Sequence, residues 1–359
     1  MFNIIDRYIA RTFLLYFFSG LIVFVTLFLT IDVMTNTVRF DVGTDVLFRY
    51  YGYFVFEILY QMLPVACLIG TVFTLSDLNR SNELVALFSS GMSLARVSGP
   101  ILVLVVILSL VGFWMGDRLL PTIVKKKNYI YFVEIKKKPG LYSTIKTNKI
   151  WYRSQNILFN IKSLKAEENL AEGITLYYFD ETWELLQMVT AQQVNLEGEQ
   201  WLLKKGAVTL FSDETGAPMS QEFEQKRVSM GEDVADLQAT AQPSSVLSLR
   251  ELKQFIARNK DGGLDTTHYE VDYHAKFSFA FAAFVMSFLG IPFTVSRARS
   301  GGVALNIAMC LGLAFLYWTF YSSGVTLGRY GAIPPVLAAW VPNVTMLSLS
   351  FGLLVRLKR

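Results

Sequence analysis

The chain has 359 residues, 53% of them hydrophobic and 17% charged, with a formal net charge of +4. A soluble domain carries about 25% charged residues, so this balance excludes an ordinary water-soluble enzyme or binding module. So small a charge gives no reason to expect a nucleic-acid partner. Cys67 and Cys310 both lie in apolar stretches. They read as small buried hydrophobes and provide neither a disulfide framework nor a metal site.

In chain order, the apolar stretches are Phe13–Ile31, Tyr53–Leu75 and Val97–Leu119, then Phe277–Val295, Val303–Ser322 and Val336–Val355. Each can cross about 30 Å of hydrocarbon as a helix rising 1.5 Å per residue. The first is longer than the apolar core of a signal peptide and has no small-residue cleavage site after it, so it reads as a permanent span. In the second, Glu57 and Gln61 lie one helical turn apart. An ionisable group there is a candidate for a proton relay, or for snorkelling and pairing with Arg49.

The connection Ser76–Ser93 carries the sharpest local signal. Ser81 or Asn82 can cap a short helix, Glu83 suits its positive end, and Gly91 can close it in the left-handed conformation. Leu84, Leu87 and Phe88 share one face at helical spacing. That face must be buried, either in lipid headgroups or in a groove on a cytoplasmic protein, with Glu83 able to meet an arginine there.

Beyond Pro121 a helical style continues through Lys125-Lys126-Lys127 to Lys136-Lys137-Lys138, and Pro139-Gly140 ends it. The first three lysines stand just past the third span, where they form either a solvated face or point charges for lipid phosphates. From Leu141 to about Met230 short β runs alternate with turns, which predicts an antiparallel sandwich or open roll. Ile174, Leu176 and Tyr178 fall on one face of such a run. Ser248-Leu-Arg-Glu251 is a capping box opening a helix over Leu249–Asn259, and a second helical stretch from Thr266 leads into the fourth span. His268 and His274 are six apart, a spacing that fits surface positions better than metal ligands.

Orientation follows from the short connections. Arg7, Arg11, Arg80, Arg96, Arg297, Arg299, Arg356, Lys358 and Arg359 lie on one side, and Arg39, Arg49 and Arg329 on the other. The positive-inside rule then places both termini in the cytoplasm and the long middle segment outside it. The expected architecture is an α-helical membrane protein of six spans, three plus three, with an inserted periplasmic antiparallel β domain. Its divisions are 1–120 (with the short helix at 81–91), 121–245 and 246–359. No phosphate loop, zinc pattern or nucleophile elbow is present, so neither catalysis nor a bound cofactor is expected of the chain itself.

Asn82-Glu83-Leu84-Val85-Ala86-Leu87-Phe88-Ser89-Ser90-Gly91 resembles the coupling helix of the lipopolysaccharide-export permeases, the LptF/LptG (YjgP/YjgQ) family. Asp6–Phe13, Leu63-Pro64 through Gly70 and Gly331–Pro335 resemble that family's first-span entry, second span and last turn. Gly140-Leu-Tyr142, Gly173–Phe179 and the Tyr-Gly-x-Ile-Pro-Pro turn are more similar to the LptG branch. Two departures stand out. Lys276-Phe-Ser-Phe-Ala280 lacks the family's proline, and the first span ends without the lysine common in that branch.

The resemblance implies a non-catalytic half of an ABC transporter that extracts lipopolysaccharide from the outer leaflet of the inner membrane of a Gram-negative bacterium. It implies an LptF-like second half, an LptB-like ATPase dimer that uses ATP and Mg, and an LptC-like single-span protein. It implies docking of the ATPase through Glu83, Leu84, Leu87, Phe88, Ser90 and Gly91, lateral gates at the first and fifth spans, and a jellyroll-like β domain that passes the lipid onward. Arg39, Lys125, Lys126 and Lys127 are the candidate phosphate contacts, and Ile174, Leu176 and Tyr178 the candidate acyl-chain contacts. The rival readings are a membrane-anchored sensor or scaffold with a ligand-binding β domain, and a permease for another lipid or lipoprotein.

Overall fold

The computed structural model describes residues 4–36, 42–137, 144–145, 151–154, 156–165, 169–180, 182–197, 200–211, 218–230, 244–261, 265–295 and 303–357. The chain forms two compact units, Met1–Lys127 with Thr267–Arg359, and Asn128–Thr266. The helix of the capping box therefore belongs with the strands and not with the second membrane half, where the sequence division at 246 puts it.

In the first unit, α1 is Ile4–Asn36, α2 is Thr44–Arg80, α3 is Glu83–Ser89, α4 is Leu94–Trp114 and α5 is Leu120–Tyr129. After the inserted segment come α7 (Thr267–Val295), α8 (Val303–Arg329) and α9 (Pro335–Leu357), α6 being the capping-box helix described below. Among the described residues six helices are long and apolar enough to cross a membrane, and they contain the six expected spans. Their outward sides carry bare apolar side chains such as Ile22, Leu110, Phe315 and Phe351, the surface that hydrocarbon tolerates.

Helices in lipid associate through close packing and a few satisfied polar contacts. A Cβ on Gly70 would lie 2.8 Å from the Phe13 ring, and one on Gly20 would lie 3.0 Å from Ile69, so α1 crosses α2 at near-backbone distance. Between α7, α8 and α9 the contact is polar. Tyr317 donates to Asn343 Oδ1 at 2.6 Å, and Asn343 Nδ2 donates to the Ser278 carbonyl at 2.8 Å. The Ser278 and Tyr321 hydroxyls lie 3.2 Å apart. At the start of α7, Asp272 receives two bonds from Arg329, of 2.8 and 2.6 Å. Between α4 and α5 the helix widens to a π turn over Met115–Leu119. Pro121 has no N–H for the Asp117 carbonyl, and a wider turn removes the clash of its ring with that carbonyl.

In the second unit, β1 (Thr144–Ile145), β2 (Trp151–Ser154), β3 (Ile157–Lys165), β4 (Leu170–Phe179), β5 (Leu185–Glu197), β6 (Gln200–Leu210) and β7 (Met219–Ser229) make one antiparallel sheet. The order is β1-β3-β4-β5-β6-β7, with β2 also on β3. Of the sandwich and the open roll, this single sheet of sequential strands is the latter. Strand β6 runs unbroken from Gln200 to Leu210 through Lys205 at φ +51°.

The core gathers Phe159, Ile174, Leu176, Val189, Val194 and Trp201, among others. Its inward residues do not alternate regularly. Ala171 and Ile174 are buried on β4, and so are Ala191 and Val194 on β5, each pair three apart instead of two. Because Ala171 pairs with Val194 and Ile174 with Ala191, the two irregularities sit side by side. Gly173, at φ +65°, and Lys205 continue the same rung. This line of irregularity lets one sheet turn its apolar face onto itself.

Beyond β4 the Asp180 carboxylate accepts from the Thr182 and Glu184 amides at 2.8 Å each, and these bonds hold its pKa below the usual carboxylate value. Helix α6 (Leu249–Asp261) opens with the expected box, in which the Ser248 amide donates to Glu251 Oε2 at 2.7 Å.

A Cβ on Gly206 would fall 2.0 Å from the Thr190 carbonyl and 2.6 Å from the Phe223 ring. Gly206→Ala is expected to destabilise the sheet by about 1–3 kcal/mol, whereas Lys205→Gly, which relieves a positive φ, should leave it unchanged or firmer. Hydrogen exchange of β5–β7 amides in the detergent-solubilised full chain checks both.

Candidate docking and lipid-contact sites

Helix α3 lies between two membrane helices, and its two ends are built differently. The C-terminal end is as expected. Gly91 adopts φ +86°, the Met92 amide donates to the Leu87 carbonyl at 3.1 Å, and the Gly91 amide donates to that of Phe88 at 3.0 Å, the paired closure of a Schellman motif. At the other end no side chain caps the helix. Asn82 is itself left-handed at φ +60°. The Ser81 hydroxyl turns back to the Asp77 carbonyl at 3.0 Å, closing α2.

The apolar face divides. Leu84 is only 2% exposed and packs with Ile9, Phe13, Leu78 and Val97, while Leu87 is half-buried against the same cluster. These two leucines therefore seat the helix on its own chain. The outward surface is Val85, Ala86, Phe88, Ser89, Ser90 and Gly91. Val85, 51% exposed, was not among the candidate docking residues, although its i, i+3, i+4 relation to Phe88 and Ser89 marks it. Glu83 is half-buried, and its Oε1 accepts from the Tyr8 hydroxyl at 3.3 Å. Next to it Arg96 Nη2 meets Asp6 Oδ2 at 2.9 Å, and Asp6 is buried. Sequence reasoning missed both contacts, because they join positions 75 and 90 residues apart.

The lysine triplet is on α5. Lys127 Nζ is ion-paired with Glu57 on α2 and lies 5.2 Å from the Phe54 ring centroid. Lys126 sits 6.0 Å over Tyr53, and Lys125 is half-buried. Glu57 thus meets Lys127 instead of Arg49, which lies 3.9 Å from Asp45 on its own helix. The charge of Lys127 is already balanced within the chain, and the triplet is not three equivalent solvated cations. Arg39 lies outside the described residues.

In the β unit Ile174 and Leu176 are sealed in the core, and Tyr178 packs half-buried against it, where burial raises its hydroxyl pKa. Among the described residues no cluster of three His, Cys, Asp or Glu is arranged to hold a metal ion.

Six spanning helices, a short helix seated between the second and third, and a single-sheet β unit inserted between the third and fourth define a polytopic permease-type membrane protein. The family model for the lipopolysaccharide export system permeases LptF/LptG matches residues 7–356, and the chain belongs to that family. It is 24% identical over 372 residues to the lipopolysaccharide export system permease protein LptG of Haemophilus influenzae, with 99% of each chain covered. It is 22% identical over 302 residues to LptG of Escherichia coli K12, covering 82% of this chain and 81% of that one.

Removing one member of the Glu57–Lys127 pair leaves a largely buried charge without its counter-ion. Glu57→Gln and Lys127→Met should each destabilise the solubilised protein by about 1–3 kcal/mol, and the double variant by less than the sum. Thermal unfolding of the four proteins measures that coupling.

Proposed function

We propose that this chain is one half of a lipopolysaccharide exporter driven by a separate cytoplasmic ATPase, with α3 as the element the ATPase grips. The observation that carries this reading is the outward surface of Val85, Ala86 and Phe88, bordered by Ser89, Ser90 and Gly91, on a helix whose other face is anchored by Leu84 and Leu87. A rigidly seated apolar patch beside the carboxylate of Glu83 suits a groove carrying an arginine. Both termini and α3 then lie in the cytoplasm and the β unit in the periplasm, as the distribution of arginines favours. The chain pairs with an LptF-like half, and an LptC-like single-span protein accompanies them. ATP and Mg are used by the LptB-like dimer.

In this reading lipopolysaccharide enters beside α1 and α8, whose apolar outer faces suit acyl chains. Lys125 and Lys126, with Arg39, meet its phosphates as point charges. Lys127 takes part only by leaving Glu57. The acyl chains then pass along Ile174, Leu176 and Tyr178, which requires the β core to part. The LptG relatives support the substrate class.

Glu83→Arg is the direct test. It should cut co-purification of the ATPase at least about tenfold, the effect of losing ~1.4 kcal/mol, while the six-span protein stays in the membrane. Full co-purification with undiminished export would favour the sensor or scaffold reading. A second measurement uses Lys125→Glu/Lys126→Glu, which should lower lipopolysaccharide release from membranes and leave the complex assembled.

A further inference from the structure

Helix α1 is attached unevenly. Of its 33 residues the buried ones are Asp6, Ile9, Phe13, Phe17, Gly20 and Val25, one narrow stripe that ends well before Asn36. The helix crosses α2 with Phe13 against Gly70 and Gly20 against Ile69, and beyond that Val25 packs with Ile58 and Met62 of α2. Tyr16 hydrogen-bonds Asp77 near the end of α2, and on the near side of the crossing α1 is bound to the α3 region. Asp6, 5% exposed, pairs with Arg96 at the start of α4. Tyr8 donates to Glu83. Ile9 and Phe13 pack in the cluster that holds Leu84.

We propose that α1 is a lever clamped to the docking hairpin, with Asp6 and Arg96 as its positioning residues, so that a displacement of α3 swings the far half of α1. The inference rests on the reading of α3 as the ATPase-docking element. From a fulcrum near Phe17 the arm to Asp6 is about 16 Å and the arm to Asn36 about 28 Å, at 1.5 Å per residue. A 2 Å movement of α3 thus becomes roughly 3.5 Å at the far end, in the opposite direction. The ion pair is suited to this work. Asp6 is buried and its carboxylate cannot be left without a cation at small cost, so it follows Arg96. The packing of Ile9 and Phe13 alone would let the helix slide. Tyr8 adds a release: an arginine that claims Glu83 displaces the hydroxyl, so docking and lever movement are coupled at one carboxylate.

The test uses the assembled complex in vesicles containing lipopolysaccharide and reads lipid released per ATP hydrolysed. Asp6→Asn and Arg96→Ala should leave the ATPase bound and hydrolysis within about twofold, yet lower that ratio about tenfold, a typical coupling loss. The swap Asp6→Arg/Arg96→Asp should restore most of it. An unchanged ratio, or loss of the whole complex without rescue by the swap, overturns the lever.

A second variant covers poor folding of the first. D6C/R96C joined by a short bifunctional thiosulfonate should export when linked and fail when reduced, the native Cys67 and Cys310 being buried. Export blocked by the link overturns the proposal. Glu83→Arg run in parallel separates the two ideas. If it keeps the ATPase bound, the docking reading fails. If it releases the ATPase while Asp6→Asn leaves the ratio intact, only the lever fails.

Discussion

Hydrocarbon offers no hydrogen bonds, and the membrane unit is organised by that single constraint. Backbone groups are consumed inside helices. Some buried hydroxyls turn to their own helix, as Thr71 does to the Cys67 carbonyl and Thr294 to that of Gly290. Where a side chain cannot be satisfied locally it joins helices together. Asn343, fully buried, accepts from Tyr317 and donates to the Ser278 carbonyl, so one amide ties α9 to both α8 and α7. Separating these helices would leave three polar groups stranded in an apolar medium, each at a cost of a few kcal/mol. The last three helices are thereby tied to one another.

The first helix is held by a different kind of force. Its contact with α2 is a close apolar crossing at Gly20 and Gly70 that continues through Leu21, Val25 and Leu29, and it makes polar contacts to other helices at Asp6, Tyr8 and Tyr16, in its first half. Dispersion packing permits small rotations that a fixed hydrogen bond resists. The short helix α3 packs with this helix through Leu84. In the proposed exporter this division would supply a fixed wall and a moving one.

The β unit solves the opposite problem. Among the described residues it is a single sheet with one apolar face. The irregular rung through Gly173 and Lys205 lets Phe159, Leu176 and Trp201 close on one another. A core of this kind is shut by side chains alone, so a hydrophobic guest competes with like for like.

Read alone, the amino-acid sequence determined the six spans, the closure of α3 at Gly91, the capping box at Ser248 and the antiparallel character of the middle segment. Each of these rests on residues within a few positions of one another, where periodicity and backbone preference act directly. Tertiary structure alone decided that Leu84 and Leu87 face inward, that Glu57 meets Lys127, that Asp6 meets Arg96, and that one sheet closes on itself. Those outcomes depend on which helices and strands lie side by side, and residues 70 to 90 positions apart leave no local pattern to announce that they will touch.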